Sequence, residues 1–159
     1  MSKHSAKIIW QNNSDSFPQN NYSRAHTWHF DGGLSVPASA SPTIVPPPFS
    51  DEKAVDPEEA FIAALSSCHM LWFLSLAAKK GFNVLKYVDQ AEGVLQKNES
   101  GKMAFTNVIL QPRVTFEQNK FPAEAEFEEL HHLAHSACFL ANSVKTEIIL
   151  KPELVQEIP

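Results

Sequence analysis

The chain reads as an α+β protein, and three observations predict it. Two segments carry helix start and stop signals. The stretches between them are rich in Val, Ile, Phe and Thr and are cut by turn residues. The resulting order, β-β-α-β-β-α-β with hairpin connections, is not the strand–helix alternation of a doubly wound sheet. With 159 residues, 43% of them hydrophobic and 19% charged, the expected organisation is a single domain over residues 1–159 with one real core.

Residues 1–22 are polar apart from Ile8-Ile9-Trp10, a short strand candidate, and the asparagines and serines around Pro18 read as loop. The run Tyr22 to Phe30, closed by Asp31-Gly32-Gly33, reads as a strand entering a hairpin turn. Period two puts Tyr22, Arg24, His26, Trp28 and Phe30 on one face. An arginine and a histidine among aromatics are unusual for a core face; the plain alternative is that Arg24 covers a ring or sits at a wet edge. Residues 37–50, with Pro37, Pro42, Pro46, Pro47 and Pro48, read as an ordered extended loop without regular structure.

The first helix is announced by Asp56-Pro57-Glu58-Glu59, proline and carboxylates in a first turn, and is stopped by Lys79-Lys80-Gly81. Between these signals it is apolar almost all round, which predicts a helix inside the protein, too short and too charged at its ends to span a membrane. Cys68 lies in its middle. Val84 to Lys97 and Lys102 to Glu117 read as strands joined by Asn98-Glu99-Ser100-Gly101, with Pro112 marking an edge or a bulge. Residues 122–143 read as a second helix, acidic in its first half, with an apolar stripe and with Cys138 late in it. Thr146 to Leu150 reads as a last short strand.

A net charge of −5 argues against nucleic acid or an acidic membrane as the main partner. The first residues carry no apolar run of signal-peptide type, so a cytoplasmic location is expected. Two cysteines there read as reduced thiols with a redox or catalytic use, although free cysteine is often only a small buried hydrophobe.

Three constellations compete for the chemistry. The first joins Cys68 and Cys138 to Arg24 and Glu58. A guanidinium keeps a thiolate ionised in an apolar site, and a carboxylate holds the guanidinium. One cysteine that reduces a peroxide becomes a sulfenic acid, which a second captures as a disulfide if the Cα atoms lie within about 7 Å. The second is metal: His131, His135 and Cys138 share a helical face, with His69 as a further ligand, but His131-His132-Leu133-Ala134-His135 lacks the glutamate of a hydrolytic zinc motif. The plain alternative for these histidines is capping and core hydrogen bonding near the interface of the two helices. The third, a cysteine hydrolase, is weakest, since Cys68 has no helix N-terminus behind it.

Pro57-Glu58-Glu59 followed by Ser67-Cys68, with Ala137-Cys138 on a second helix, resembles the OsmC/Ohr family of thiol-dependent hydroperoxide reductases. The likeness runs from about Tyr22 to Leu150, and the paired motifs are what make it specific. The Tyr22–His26, Ser67–Trp72 and Leu130–His135 runs are similar to one OsmC-like branch.

The resemblance implies an intertwined homodimer of curved antiparallel sheets around two central helices. It places the active sites at the subunit interface, with no metal or organic cofactor. It makes Cys68 the peroxidatic thiol, Cys138 the resolving one, Arg24 the activating arginine and Glu58 its carboxylate partner. The substrate is then an organic hydroperoxide and the reductant a dithiol, of lipoyl type in preference to thioredoxin. Arg24 lacks the glycine-rich surroundings of the better-known branch, and the histidines beside both cysteines also depart from it. The different-class alternative is a metal- or small-ligand-binding protein using the His/Cys cluster, with no peroxidase activity.

Overall fold

The computed structural model describes residues 1–156. The chain divides into two compact units, Met1–Phe61 and the residues from Ile62 onward. The first holds a three-stranded antiparallel sheet in the order β1 (Ala6–Ile9), β2 (His26–Phe30), β3 (Ser35–Ala38). Gly33, at φ +85°, lets the hairpin close: its N–H and that of Phe30 bond across the turn, to Phe30 O and Leu34 O.

Two expectations are corrected in this unit. The strand begins at His26, not Tyr22, because the Arg24 N–H is spent on Phe49 O outside any ladder. Pro37, read as loop, lies within β3; an edge strand tolerates it, and its carbonyl accepts from Val55 N–H.

Helix α1 runs Pro57–Lys79. Asp56 and Glu59 cap it reciprocally: Glu59 N–H donates to Asp56 Oδ1 at 2.7 Å and Asp56 N–H to Glu59 Oε2 at 3.4 Å. Its end is a Schellman pair, Phe82 N–H to Ala77 O and Gly81 N–H to Ala78 O, around Gly81 at φ +84°.

The expected all-round burial does not hold within one chain. Only Leu65, His69, Phe73 and Ala77, one stripe at four-residue spacing, are buried, while Leu71 is 60% exposed. Nor is the helix too short to span a membrane. The helix has 23 residues, about 34 Å, and is long and apolar enough to cross a bilayer by length and composition. Its buried stripe nevertheless packs as a core helix does.

From Ile62 onward there are two mixed sheets, in the orders β4-β7-β9 and β5-β6-β8. The strands are β4 (Val84–Asp89), β5 (Glu92–Lys97), β6 (Met103–Leu110), β7 (Pro112–Phe116), β8 (Glu147–Leu150) and β9 (Glu153–Gln156). Each expected long strand is therefore two strands that part company, and β8 and β9 join in parallel rather than as hairpins. The parting is fixed by one carboxylate. Asp89 Oδ1 takes the Gln111 N–H at 2.7 Å, where the ladder breaks before Pro112, and its Oδ2 accepts from Ser66 Oγ of α1 at 2.5 Å.

Helix α2 spans Glu124–Ala137, shorter than the expected 122–143. Phe73 and Ala77 of α1 meet Phe127, Leu130 and Ala134 of α2 and Val114 and Phe116 of β7 in one buried cluster.

Candidate active site

The two cysteines, 70 residues apart in sequence, are brought together. Cys68 is half-buried on α1 and Cys138 is buried; both are free thiols, and the Cys138 thiol donates to Cys68 Sγ at 2.8 Å. Cys138 is not within a helix as expected. It follows the last residue of α2 with extended backbone (ψ 113°), and the chain turns there so that the Ala141 N–H also points at its sulfur, at 3.4 Å. Burial, and then the hydrogen bond to Cys68, push the Cys138 thiol up to about 11. The geometry therefore distinguishes the sulfurs: Cys138 keeps its proton and presents it, and Cys68 receives.

Behind this pair, His69 Nε2 and His131 Nδ1 are 3.0 Å apart, and both residues are 1% exposed. Burial above all, with repulsion from His135, lowers His69 to about 4; burial and then His69 lower His131 to about 3. Both are neutral at physiological pH, so one imidazole donates and the other accepts. Among the described residues no three His, Cys, Asp or Glu groups are arranged to hold a metal ion, and the expected shared face of His131, His135 and Cys138 is divided between a histidine partner and a thiol partner. The plain alternative, core hydrogen bonding, holds for His69 and His131, whereas His135 Nδ1 is buried without a partner among the described residues and His132 is exposed. The His69–His131 pairing was not legible, because contact between residues 62 apart leaves no periodic trace.

Within the first unit, Arg24 lies just ahead of β2. Its guanidinium sits 3.8 Å over the Tyr22 ring and donates to Tyr22 O at 2.5 Å, Asn20 Oδ1 at 2.6 Å and Asn20 O at 3.3 Å. It makes no ion pair with Glu58 among the described residues, and Glu58 Oε2 is buried without a hydrogen-bond partner. Trp28 Nε1–H donates to His26 Nε2, so the His26 Nδ1–H is the one that donates to Arg24 O. Arg24 lines a cavity of about 440 Å³ with Ile8, Trp10, Phe17 and Tyr22; those three aromatic rings pack at centroid distances of 4.5–5.5 Å. Trp10 and Phe17 were not foreseen at this wall, since their contact with Tyr22 joins separate segments and leaves no spacing pattern.

The family model described as OsmC-like protein matches residues 50–153. No curated protein matches the chain. Among solved structures, an OsmC-like protein of unknown function from Vibrio cholerae O1 biovar eltor is 54% identical over 98% of this chain and 100% of its own, with a TM-score of 0.92. An OsmC-like protein from Mycoplasma pneumoniae is 18% identical over 97% of this chain and 98% of its own, at TM-score 0.73. An organic hydroperoxide resistance protein from Elizabethkingia anophelis is 15% identical over 99% of this chain and 98% of its own, at 0.71. The last two likenesses carry the fold alone; together with the family match they make the architecture that of the OsmC/Ohr proteins, and the chain belongs to the OsmC-like protein family.

Proposed function

We propose that the protein reduces organic hydroperoxides through its two thiols. The observation that carries this is the sulfur pair: two free thiols 2.8 Å apart, one buried and proton-bearing, the other half-buried and accepting. In the first step Cys68 thiolate attacks the distal peroxide oxygen. The O–O bond breaks, the alkoxide leaves with a proton as alcohol, and Cys68 becomes a sulfenic acid. Cys138 then displaces hydroxide, forming the disulfide and releasing water. An external dithiol, by family likeness of lipoyl type, takes the disulfide back to two thiols and is itself oxidised. Cycling thiols suit a reducing compartment, and the proposed location is cytoplasmic; fractionation that finds the protein outside it would refute the location.

Arg24 and Glu58 enter as the activating pair by family resemblance, supported by the orphaned Glu58 Oε2, which lacks a cation, and by the apolar cavity beside Arg24. Glu58 precedes Cys68 by ten residues of unbroken helix, about 15 Å. Supply of the pair by a second copy removes that difficulty and would cover the exposed apolar faces of α1, so the proposed working form is a homodimer.

The test is a thiol count with intact-mass spectrometry after one equivalent of cumene hydroperoxide, and kcat/KM against that substrate and hydrogen peroxide with dihydrolipoamide as reductant. The expected result is loss of both thiols and a preference for the organic peroxide. Thiols left untouched would sink the reading, and metal at one per chain would favour the metal-binding alternative in its place.

A further inference from the structure

We propose that the His69–His131 hydrogen bond is a positioning element, holding α1 and α2 in the register that lets the Cys68–Cys138 disulfide close before Cys68 is oxidised further. The inference rests on the peroxidase reading for its purpose but on geometry for its substance.

His131 is seated firmly. Its ring lies against Phe73, with centroids 4.3 Å apart at 26°, and meets Phe127 edge-on at 4.6 Å and 87°. His69 joins it nearly coplanar, at 6° and 5.3 Å between centroids, as an in-line N–H···N bond requires. His69 directly follows Cys68, and His131 precedes by seven residues Cys138, which caps the C-terminal end of the same helix. The two helices therefore meet at two polar points, ring to ring at 3.0 Å and sulfur to sulfur at 2.8 Å.

The arrangement is an expensive one. His69 Nδ1 and His131 Nε2 are buried with no partner among the described residues, and two apolar side chains of similar size would fill the space without that penalty. What an apolar contact lacks is direction: it tolerates sliding and rotation, whereas an N–H···N bond does not. Sulfur reach is the property that such slippage would damage.

The competing reactions define the readout. Cys68–SOH and Cys138–SH give the disulfide and water. Cys68–SOH and a second hydroperoxide give the sulfinic acid and an alcohol. A small misplacement slows only the first, since only it needs two groups of the protein in register.

The experiment compares native protein with His131→Leu, which removes the bond, and His131→Asn, whose amide places a polar atom near the Nδ1 position and can donate or accept. Rapid mixing with cumene hydroperoxide resolves attack on Cys68 from disulfide closure. In His131→Leu the attack phase should stay within about twofold and closure should slow about tenfold, the loss of one neutral hydrogen bond. Sulfinic acid should then appear at proportionately lower peroxide excess. His131→Asn should recover closure to within about threefold of native.

Equal slowing of both phases, unchanged closure in His131→Leu, or no recovery in His131→Asn would each overturn the proposal. If His131→Leu fails to fold by circular dichroism, the pair His69→Leu and His69→Gln asks the same question, glutamine keeping an atom near Nε2. A parallel arm uses diamide, an azo oxidant that takes both thiol hydrogens and closes the disulfide without any hydroperoxide. Slower diamide closure in the leucine variant supports the positioning role even where the native protein reduces no hydroperoxide, an outcome that would sink the peroxidase reading alone. Unchanged diamide closure overturns the positioning role.

Discussion

The two helices bury alike and advertise it differently. Each puts four residues into the core, one of them a histidine: Leu65, His69, Phe73 and Ala77 on α1, Phe127, Leu130, His131 and Ala134 on α2. On α2 much of the remainder is acid, with Glu124, Glu126, Glu128 and Glu129 all exposed, so its sequence pattern and its burial agree. On α1 much of the remainder is apolar or small, with Ala63, Ala64, Leu71 and Ala78 exposed. A hydrophobic pattern records every surface that a helix is meant to cover. Where one chain covers only part of it, the excess is the surface that the proposed second copy would cover.

The largest expected effect separates the helices by chemistry. If α1 carries the attacking sulfur, Cys68→Ser abolishes turnover and acquires no oxygen at stoichiometric peroxide. Cys138→Ser keeps the attack, and Cys68 climbs from sulfenic to sulfinic acid. The Cys138 thiol, held up at about 11, is almost wholly protonated at neutral pH, which suits the proposed resolving role and not that of the attacking sulfur. Intact mass reads the outcome, and an oxygen adduct on Cys68→Ser but none on Cys138→Ser would reverse the roles.

Next in size is assembly. If the proposed dimer forms through the uncovered face of α1, Leu71→Glu should leave a monomer in light scattering and take the proposed peroxidase turnover with it. Glu128→Lys, on the matched face of α2, should change neither. A Leu71→Glu protein that remains dimeric and active would mean that the exposed apolar face has another purpose.

Much of this was legible. Asp56-Pro57-Glu58-Glu59 and Gly81 gave the bounds of α1 because capping is chemistry between near neighbours. The cysteines were recognisable as a pair through their motifs. Strand Pro37 and the splitting of β4 from β5 and of β6 from β7 were not, because they depend on partners far along the chain: Val55 for β3, and Ser66 and Asp89 for the break at Gln111. Arg24 was read onto a strand face by period-two spacing, yet its N–H goes to Phe49 O instead of a ladder, and its guanidinium turns back to Asn20 and Tyr22.

The buried histidines, one from each helix, give a stability effect of intermediate size. Both fold with pKa values below the ordinary 6.5, so the unfolded chain binds more protons and stability rises with pH. The contribution is full above about pH 6.5 and is lost as the pH falls toward about 4, by on the order of 3 kcal/mol for the more basic member, His69. Urea midpoints between pH 7 and 4 should fall steeply in native protein and less steeply in His131→Asn. Parallel slopes would show that acid unfolding begins elsewhere.

The smallest effect probes how closely α1 approaches the sheet. A methyl added at Gly93 of β5 would lie 2.7 Å from Ile62 Cδ1 on α1 and 2.8 Å from Phe105 Cε1 on β6. Its backbone is ordinary, so crowding is the whole of the cost. Gly81 is the converse: nothing lies within 4 Å, but φ is +84°. Gly93→Ala should therefore lose about 1–2 kcal/mol by overpacking, and Gly81→Ala about 1 kcal/mol through strain at the helix stop. Adding Ile62→Val to the Gly93 variant removes one of the two obstructions and should return part of the loss, whereas the same change on a Gly81→Ala background should only add its own. The ring of Phe105 remains in the way, so recovery stays incomplete. A neutral Gly93→Ala in thermal unfolding would mean that Ile62 and Phe105 yield freely, and that α1 is fixed here by the Ser66–Asp89 bond to the end of β4 more than by packing on β5 and β6.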